Sequence, residues 1–139
     1  MPVVEIPISN PPMQKRKLFY WAAEEKGCSE LESWIAKQEP KERGRLAQLL
    51  RICFSHREPS LHPSEKKFKA EFRNKGQMIY AIKSYQIRLY GVLEGVDFYV
   101  FHFMIKKKDE LNKDEKKAIS AKHHSYLEKN EYAKKWRLK

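Results

Sequence analysis

The chain has 139 residues, of which 41% are hydrophobic and 12% are aromatic, so it is long enough for one domain with a modest core. Lys and Arg number 29 against 18 Asp and Glu, and almost all of the net charge of +11 lies after residue 64, which favours binding to a polyanion, above all nucleic acid. The two cysteines, Cys28 and Cys53, form no disulfide framework, and no leader or membrane span is predicted, so we expect a reducing cytosol and no membrane partner.

The N-terminal part of the chain predicts extended structure. Residues 1–13 alternate apolar side chains and then reach two prolines, which is typical of an extended arm or an edge strand. The aromatic stretch from Lys17 to Ala23 predicts the first true strand, and Gly27 ends it.

Two helices are predicted next. Ser29 and Glu32 have the spacing of a capping box, and Pro40 lies where the first turn of a second helix begins. The second helix has an amphipathic stripe with helical spacing, formed by Leu46, Leu49, Leu50, Cys53 and Phe54. We therefore assign Cys53 to core packing.

The middle of the chain predicts a loop and then a meander. The prolines and lysines from His56 to Gly76 indicate a loop, with a short basic helical turn from Lys66 to Arg73. Three strand-like runs separated by short turns predict an antiparallel meander, and these are Met78 to Lys83, Tyr85 to Val92 and Asp97 to Met104.

The C-terminal part predicts one more helix and a basic tail. Asn112 and Glu115 have capping-box spacing, so a helix is expected from there to about Leu127.

The elements together predict an α+β domain over residues 14–139, with a small twisted antiparallel sheet in the order β-α-α-β-β-β-α. Two N-terminal helices and a C-terminal helix pack on that sheet, and residues 1–13 form an arm.

Several kinds of site are not predicted. None of the 5 glycines has the spacing of a phosphate-binding loop. Cys53, His56 and His62 match no zinc pattern, so no metal is expected. His123 and His124 are adjacent on a helix, about 100° apart, and are interpreted as a solvated face.

The meander carries the most informative group of residues. Alternate side chains of a strand share one face, so Arg88 and Tyr90 point together, and Arg88 is an unusual charge within an apolar strand. Lys83 ends the neighbouring strand, His102 lies near the end of the third, and Lys106 follows it. These groups suit cleavage of RNA through the ribose 2′-OH, which needs a base, an acid and positive charge on the transition state.

The candidate catalytic residues are therefore Arg88, Lys83, His102 and Lys106, without any cofactor. Candidate RNA-binding residues are basic side chains for phosphates and tyrosines for stacking on bases, namely Lys66, Lys67, Lys69, Arg73, Lys75, Lys107, Lys108, Tyr80, Tyr90 and Tyr99. In the alternative interpretation, Arg88 pairs with Asp97 or Glu94 and the lysines only keep the protein soluble.

The order of elements from Lys17 to Leu127 resembles the RelE/HigB-type toxins of bacterial toxin–antitoxin systems, including phage-derived HigB-like proteins. Three stretches and the helix capped by Asn112 carry the resemblance, and the stretches are KLFYWAAEEKGCSELESWI, QMIYAIKSYQIRLYG and FYVFHFMIKKK. Phe103 replaces a usual glycine, Lys113 replaces a common proline, and Lys83 stands where many members have arginine.

The resemblance implies a fold, an activity and partners. The fold is a small twisted antiparallel sheet with two helices on one side and a mobile C-terminal helix. The activity is metal-independent cleavage of mRNA on the ribosome, and the partner is a small helix-turn-helix antitoxin that neutralises the toxin. The alternative is a non-catalytic toxin-like or phage-derived protein that binds nucleic acid or a host complex such as gyrase.

Overall fold

The computed structural model describes residues 3–5, 18–22, 30–53, 68–95, 97–108 and 110–128. Within these ranges the chain forms one six-stranded sheet, in the strand order β1-β2-β6-β5-β4-β3, and three helices. The elements in chain order are β1 Val3–Glu5, β2 Leu18–Trp21, α1 Glu30–Ala36, α2 Pro40–Cys53, β3 Phe68–Asn74, β4 Gln77–Ser84, β5 Ile87–Glu94, β6 Asp97–Ile105 and α3 Lys113–Glu128. The predicted α+β class, with two N-terminal helices and a C-terminal helix, is confirmed, while β3 is a strand that the predicted order did not contain.

The sheet is antiparallel except at one pair of strands. β2 lies parallel to β6, while β3, β4, β5 and β6 form an antiparallel meander as they follow one another along the chain. β1 pairs with the outer side of β2, so the beginning of the predicted arm is an edge strand. The rest of the arm and the basic tail lie outside the described residues and stay predictions.

The predicted helical turn from Lys66 to Arg73 is wrong, because Phe68–Asn74 forms β3. The pairing of β3 with β4 shifts register between Ala70 and Phe72, and this irregularity interrupts the alternation by which a strand is normally identified. Lys75 and Gly76 form the turn into β4 with φ values of 52° and 80°, which suits a two-residue hairpin. Hydrogen bonds to β4 stabilise the strand here and outweigh the weak local preference for a helical turn.

The sheet has a hydrophobic core on each face. Ile87 and Leu89 pack towards α1 and α2, while Tyr90 and Val92 pack towards α3. The pairing of β5 with β6 shifts register between Tyr90 and Gly91, where a Cβ atom on Gly91 would lie 2.0 Å from the main-chain oxygen of Tyr99. The side chains of β5 alternate between the two cores, and its even-numbered residues face α3.

Helix α3 begins with the predicted capping box. The Asn112 side-chain oxygen accepts from the Glu115 amide at 2.8 Å, and the Glu115 carboxylate accepts from the Asn112 amide at 2.9 Å. Ser29, the cap predicted for α1, lies outside the described residues. Of the helices that the structure describes, none is both long and apolar enough to cross a membrane.

Candidate functional site

The four candidate catalytic residues lie close to the β4–β5 turn, at the end of β4, the start of β5 and the end of β6. Lys83 is the direct cross-strand partner of Arg88, and Tyr90 is the partner of His102. Cross-strand partners share a face, and Arg88 and Tyr90 are two residues apart on β5, so Lys83, Arg88 and His102 point to the α3 side. We refer to Lys83, Arg88, His102 and Lys106 as the cationic cluster.

Lys106 extends the cluster beyond the end of β6. Its amide donates to the main-chain oxygen of Gln86 at 2.8 Å, which keeps the chain beside the turn between β4 and β5. Its ammonium group lies 2.7 Å from the Glu115 carboxylate. Lys106 therefore joins the end of β6 to the first turn of α3.

Arg88 is almost entirely buried, with 4% of the residue exposed. Its Nη1 donates to the main-chain oxygens of Tyr85 and of Ile87, the latter at 3.1 Å. Glu94 and Asp97 are opposite each other six residues farther along β5, about 20 Å away. The register therefore gives no support to the alternative in which Arg88 pairs with either of these two carboxylates.

Lys83 has a partner that the sequence did not suggest. Its ammonium group lies 3.4 Å from the carboxylate of Glu71, and both side chains are only 7% exposed. Glu71 occupies the register shift of β3, between Ala70 and Phe72, so neither strand alternation nor helical spacing could place it. The signal available in the sequence was a single acidic residue inside the basic stretch from Lys66 to Lys75.

Glu115 is ionised by its surroundings. Its pKa is lowered first by the hydrogen bond from Lys106 and then by the hydrogen bond from the Asn112 main chain. Among the described residues, the carboxylates of Glu71 and Glu115 accompany two of the three cations, Lys83 and Lys106.

His102 is the titratable member of the cationic cluster. Its pKa is lowered first by burial and then by the charge of Lys122, and Glu115 opposes this change. Its ring lies 6.1 Å from that of Tyr90, centroid to centroid. His102 is therefore neutral at pH 7 and can accept a proton.

The basic residues predicted to contact RNA are mostly on the surface. Those that the structure describes are all exposed, and they are Lys69, Arg73, Lys75, Lys107 and Lys108. Lys66 and Lys67 lie outside the described residues. Lys69 also lines a cavity of about 240 Å³ between β3 and the start of α3, together with Glu71, Glu110, Leu111 and Lys116.

Of the tyrosines predicted to stack on bases, two are buried in the core and the third is partly buried. Tyr90 is fully buried, and Tyr99 is buried with its ring stacked 4.8 Å from that of Phe19. Tyr80 packs edge-on against Phe68 at 5.6 Å, on the other face of the sheet. The alternation of the strands indicates which residues share a face, but it does not indicate which core covers that face.

His123 corrects the prediction of a solvated histidine pair, because it is fully buried between α3 and the sheet. The Asn74 amide donates to Nδ1 at 2.9 Å, and Nε2 donates to the Gln77 side-chain oxygen at 2.8 Å. The Gln77 amide and the Tyr126 hydroxyl both donate to the Glu94 carboxylate, at 3.2 and 3.0 Å. These bonds require a neutral ring with the proton on Nε2.

The pKa of His123 is lowered first by burial, then by the charges of Lys75 and His124, while Glu94 opposes the change. The ring of Phe101 stacks on it at 5.6 Å. His124, in contrast, is exposed and lies 2.6 Å from the Glu128 carboxylate, so the solvated interpretation fits that residue alone. Within the described ranges, no group of three or more His, Cys, Asp or Glu residues is placed so that it could hold a metal ion.

Comparison with protein-family models, with curated proteins and with solved structures finds no match for this chain.

Proposed function

We propose that the protein is the toxin of a type II toxin–antitoxin pair and cleaves mRNA on the ribosome as a metal-independent endoribonuclease. The observation that supports this most is the direct cross-strand pairing of Lys83 with Arg88, with His102 on the same face and Lys106 at the same end. These residues come from three strands and the segment that follows. The alternation of side chains within one strand therefore cannot explain why they lie together. The resemblance to RelE/HigB-type toxins implies the same chemistry, and it rests in part on the stretches that contain these four residues.

The proposed reaction is attack of a ribose 2′-oxygen on the adjacent phosphorus, with departure of the 5′-oxygen. Arg88 and Lys83 stabilise the negative charge that develops on the phosphorane-like transition state. Neutral His102 accepts the 2′-OH proton, and the Lys106 ammonium group donates a proton to the leaving oxygen. The products are a 2′,3′-cyclic phosphate and a 5′-hydroxyl end.

The substrate phosphate has to replace protein partners of these cations. Glu71 accompanies Lys83, Glu115 accompanies Lys106, and Arg88 donates to two main-chain oxygens. A phosphate offers several strong acceptor oxygens and can take the place of a carboxylate at an ammonium group. Movement of α3, which covers this face, gives RNA access to the cluster.

The burial of Lys83 and Lys106, which are 6% and 8% exposed, favours a second candidate function. In that case the paired cations are structural, and the protein binds nucleic acid or a host complex such as gyrase without cleaving RNA. The exposed lysines then provide binding, and substitutions in the cationic cluster change stability alone.

Expression in the absence of an antitoxin tests the proposal. The wild-type protein is expected to stop growth and to produce mRNA fragments with 5′-hydroxyl ends, whereas His102→Ala is expected to remain soluble and to produce none. Arg43→Ala on the exposed side of α2 is the matched control and keeps both effects. Growth arrest without RNA fragments supports the second function, and normal growth at high soluble expression contradicts both toxin functions.

A further inference from the structure

The tip of the β4–β5 hairpin carries a tyrosine in an unusual conformation. Tyr85 has a φ of 55°, in the left-handed region that bulky residues rarely adopt. Two-residue hairpin turns normally place Gly, Asn or Asp at such a position. Its side chain is also exposed to 65% of its possible area. The turn does not require an aromatic ring and the ring lies outside the core, so beyond its contact with Arg45 the ring points to a function outside the fold.

One cationic group lies beside this ring, and further cationic and apolar residues are on the neighbouring segments. The Arg45 guanidinium lies 5.7 Å from the ring centroid, and its side chain is 48% exposed. Ile105, which is opposite Ile87 on the α2 side of the sheet, is 47% exposed. Lys107 and Lys108 are exposed and follow Lys106, whose amide bonds to the turn. We call the set Arg45, Tyr85, Ile105, Lys107 and Lys108 the tip surface.

We propose that the tip surface binds single-stranded RNA, with one unpaired base stacked on Tyr85 and the flanking phosphates held by Arg45, Lys107 and Lys108. An exposed aromatic ring among Arg and Lys side chains is the combination that binds single strands, because every base has a face that can stack and every linkage carries a negative charge. Tyr85 thus takes the role that the sequence assigned to Tyr80, Tyr90 and Tyr99. The choice of RNA as the ligand rests on the proposed function, but the stacking itself requires no catalysis.

The tip surface is also connected to the cationic cluster. The Arg88 guanidinium donates to the main-chain oxygen of Tyr85, so the residue proposed to hold the scissile phosphate also fixes the turn that carries the ring. A base on Tyr85 therefore belongs to a nucleotide close to the cleaved linkage. In this way the tip surface determines which nucleotide of the bound RNA lies beside Arg88.

Binding to two matched RNA ligands tests this inference. One is a short 2′-O-methyl RNA strand, which cannot be cleaved, and the other has the same backbone with abasic positions. At a fixed low salt concentration, the wild-type protein and Tyr85→Phe are expected to bind the strand with bases roughly 10- to 100-fold more tightly than the abasic strand. Tyr85→Asn is expected to bind both strands equally, with unchanged affinity for the abasic one.

Stability separates loss of the ring from loss of the fold. Asn and Gly tolerate a positive φ, so Tyr85→Asn and Tyr85→Gly are expected to melt at or above the wild-type temperature. If Tyr85→Asn fails to fold, Tyr85→Gly provides the same comparison. Unchanged binding of the strand with bases by a folded variant overturns the inference. So does an equal loss on both strands, which is expected if the surface binds a protein partner instead.

The outcomes also separate this inference from the proposed endoribonuclease. A wild-type protein that prefers the strand with bases but does not cleave mRNA contradicts the endoribonuclease and supports stacking. A wild-type protein that cleaves mRNA while Tyr85→Asn binds and cleaves equally well overturns the stacking alone. Absence of any preference for the strand with bases by the wild-type protein overturns it as well.

Discussion

Lys83 and Arg88 are directly opposite each other on β4 and β5, and both are buried. Two neighbouring cations in a protein interior repel each other, and each needs acceptors. Glu71 provides them for Lys83, and the main-chain oxygens of Tyr85 and Ile87 provide them for Arg88. The two neighbouring cations are therefore stabilised in different ways, one by a carboxylate and the other by main-chain oxygens.

Arg88→Ala is expected to lower single-turnover cleavage by roughly a hundredfold or more, since removal of a preorganised charge at a transition state costs about 3 kcal/mol. It also removes two hydrogen bonds to the β4–β5 turn, so the melting temperature should fall. Cleavage and melting are measured on the same sample, with Arg43→Ala as the control for both. A destabilised Arg88→Ala protein that cleaves at the wild-type rate contradicts the catalytic assignment.

Glu71→Gln is expected to destabilise the protein by about 3 kcal/mol, because it leaves the buried ammonium group of Lys83 without a carboxylate. Urea unfolding measures the change, and Glu39→Gln, at an exposed position, is the matched control. The double variant Glu71→Leu with Lys83→Met removes both charges and should recover most of the stability. An equally large loss in the double variant would show that packing, not charge, sets the effect.

Stability is expected to rise with pH through the range in which histidine titrates. The folded pKa of His123 is lowered below its ordinary value of 6.5, so the unfolded chain binds its proton first as the pH falls. This contribution is fully present above pH 6.5 and is lost progressively below it, down to the lowered folded pKa. His102 has a shift of the same sign and adds to the slope.

The free energy of unfolding measured between about pH 5 and pH 8 tests this prediction. His102→Gln should keep the part of the slope that comes from His123. His123→Gln should reduce the slope and also lower stability at pH 8, because the ring bridges Asn74 and Gln77. A wild-type stability that does not change over this range would contradict the buried, neutral state of His123.

Asn112→Ala is expected to cost about 1 kcal/mol, because it leaves the Glu115 amide at the start of α3 without its acceptor. Asn112→Ser keeps a capping oxygen and should restore most of the loss. Thermal melting measures both variants. If Ala and Ser have the same effect, the capping oxygen does not stabilise α3.

Lys107→Ala is expected to weaken RNA binding modestly and to reduce its salt dependence by roughly one phosphate contact. The reason is that this exposed lysine contributes charge to the tip surface without a role in the core. Affinity for single-stranded RNA measured over a series of salt concentrations gives the slope. A slope identical to that of the wild-type protein places Lys107 outside the interface.

The sequence predicted those elements in which local signals agree with the final packing. The two hairpins of the meander and the capping box of Asn112 are local, and the structure confirms all three, with the first turn at Tyr85 and Gln86 instead of at Ser84. β3 was missed because the register shift at Glu71 disturbs its alternation, and its hydrogen bonds depend on β4. Local patterns do not contain that information.

The sequence predicted which side chains of the candidate site share a face of the sheet, but not which residues contact them. Alternation correctly grouped Arg88 with Tyr90 on one face. The acceptors of Lys83 and Lys106 come from β3 and α3, so Glu71 and Glu115 could be recognised as partners only in three dimensions. The burial of Tyr90 and His123 has the same origin, because both depend on where α3 lies.

The parallel pair of β2 and β6 has a consequence for the order of assembly. Leu18 is opposite Phe98, so these partners are 80 residues apart in the chain, whereas the meander closes through short turns. Long loops close at a greater entropic cost, so we expect the meander to form first and β2 to add later. During synthesis β2 leaves the ribosome well before β6, and α3 follows last. Until α3 docks, the nascent chain presents its cationic face to the solvent beside the ribosome that is making it.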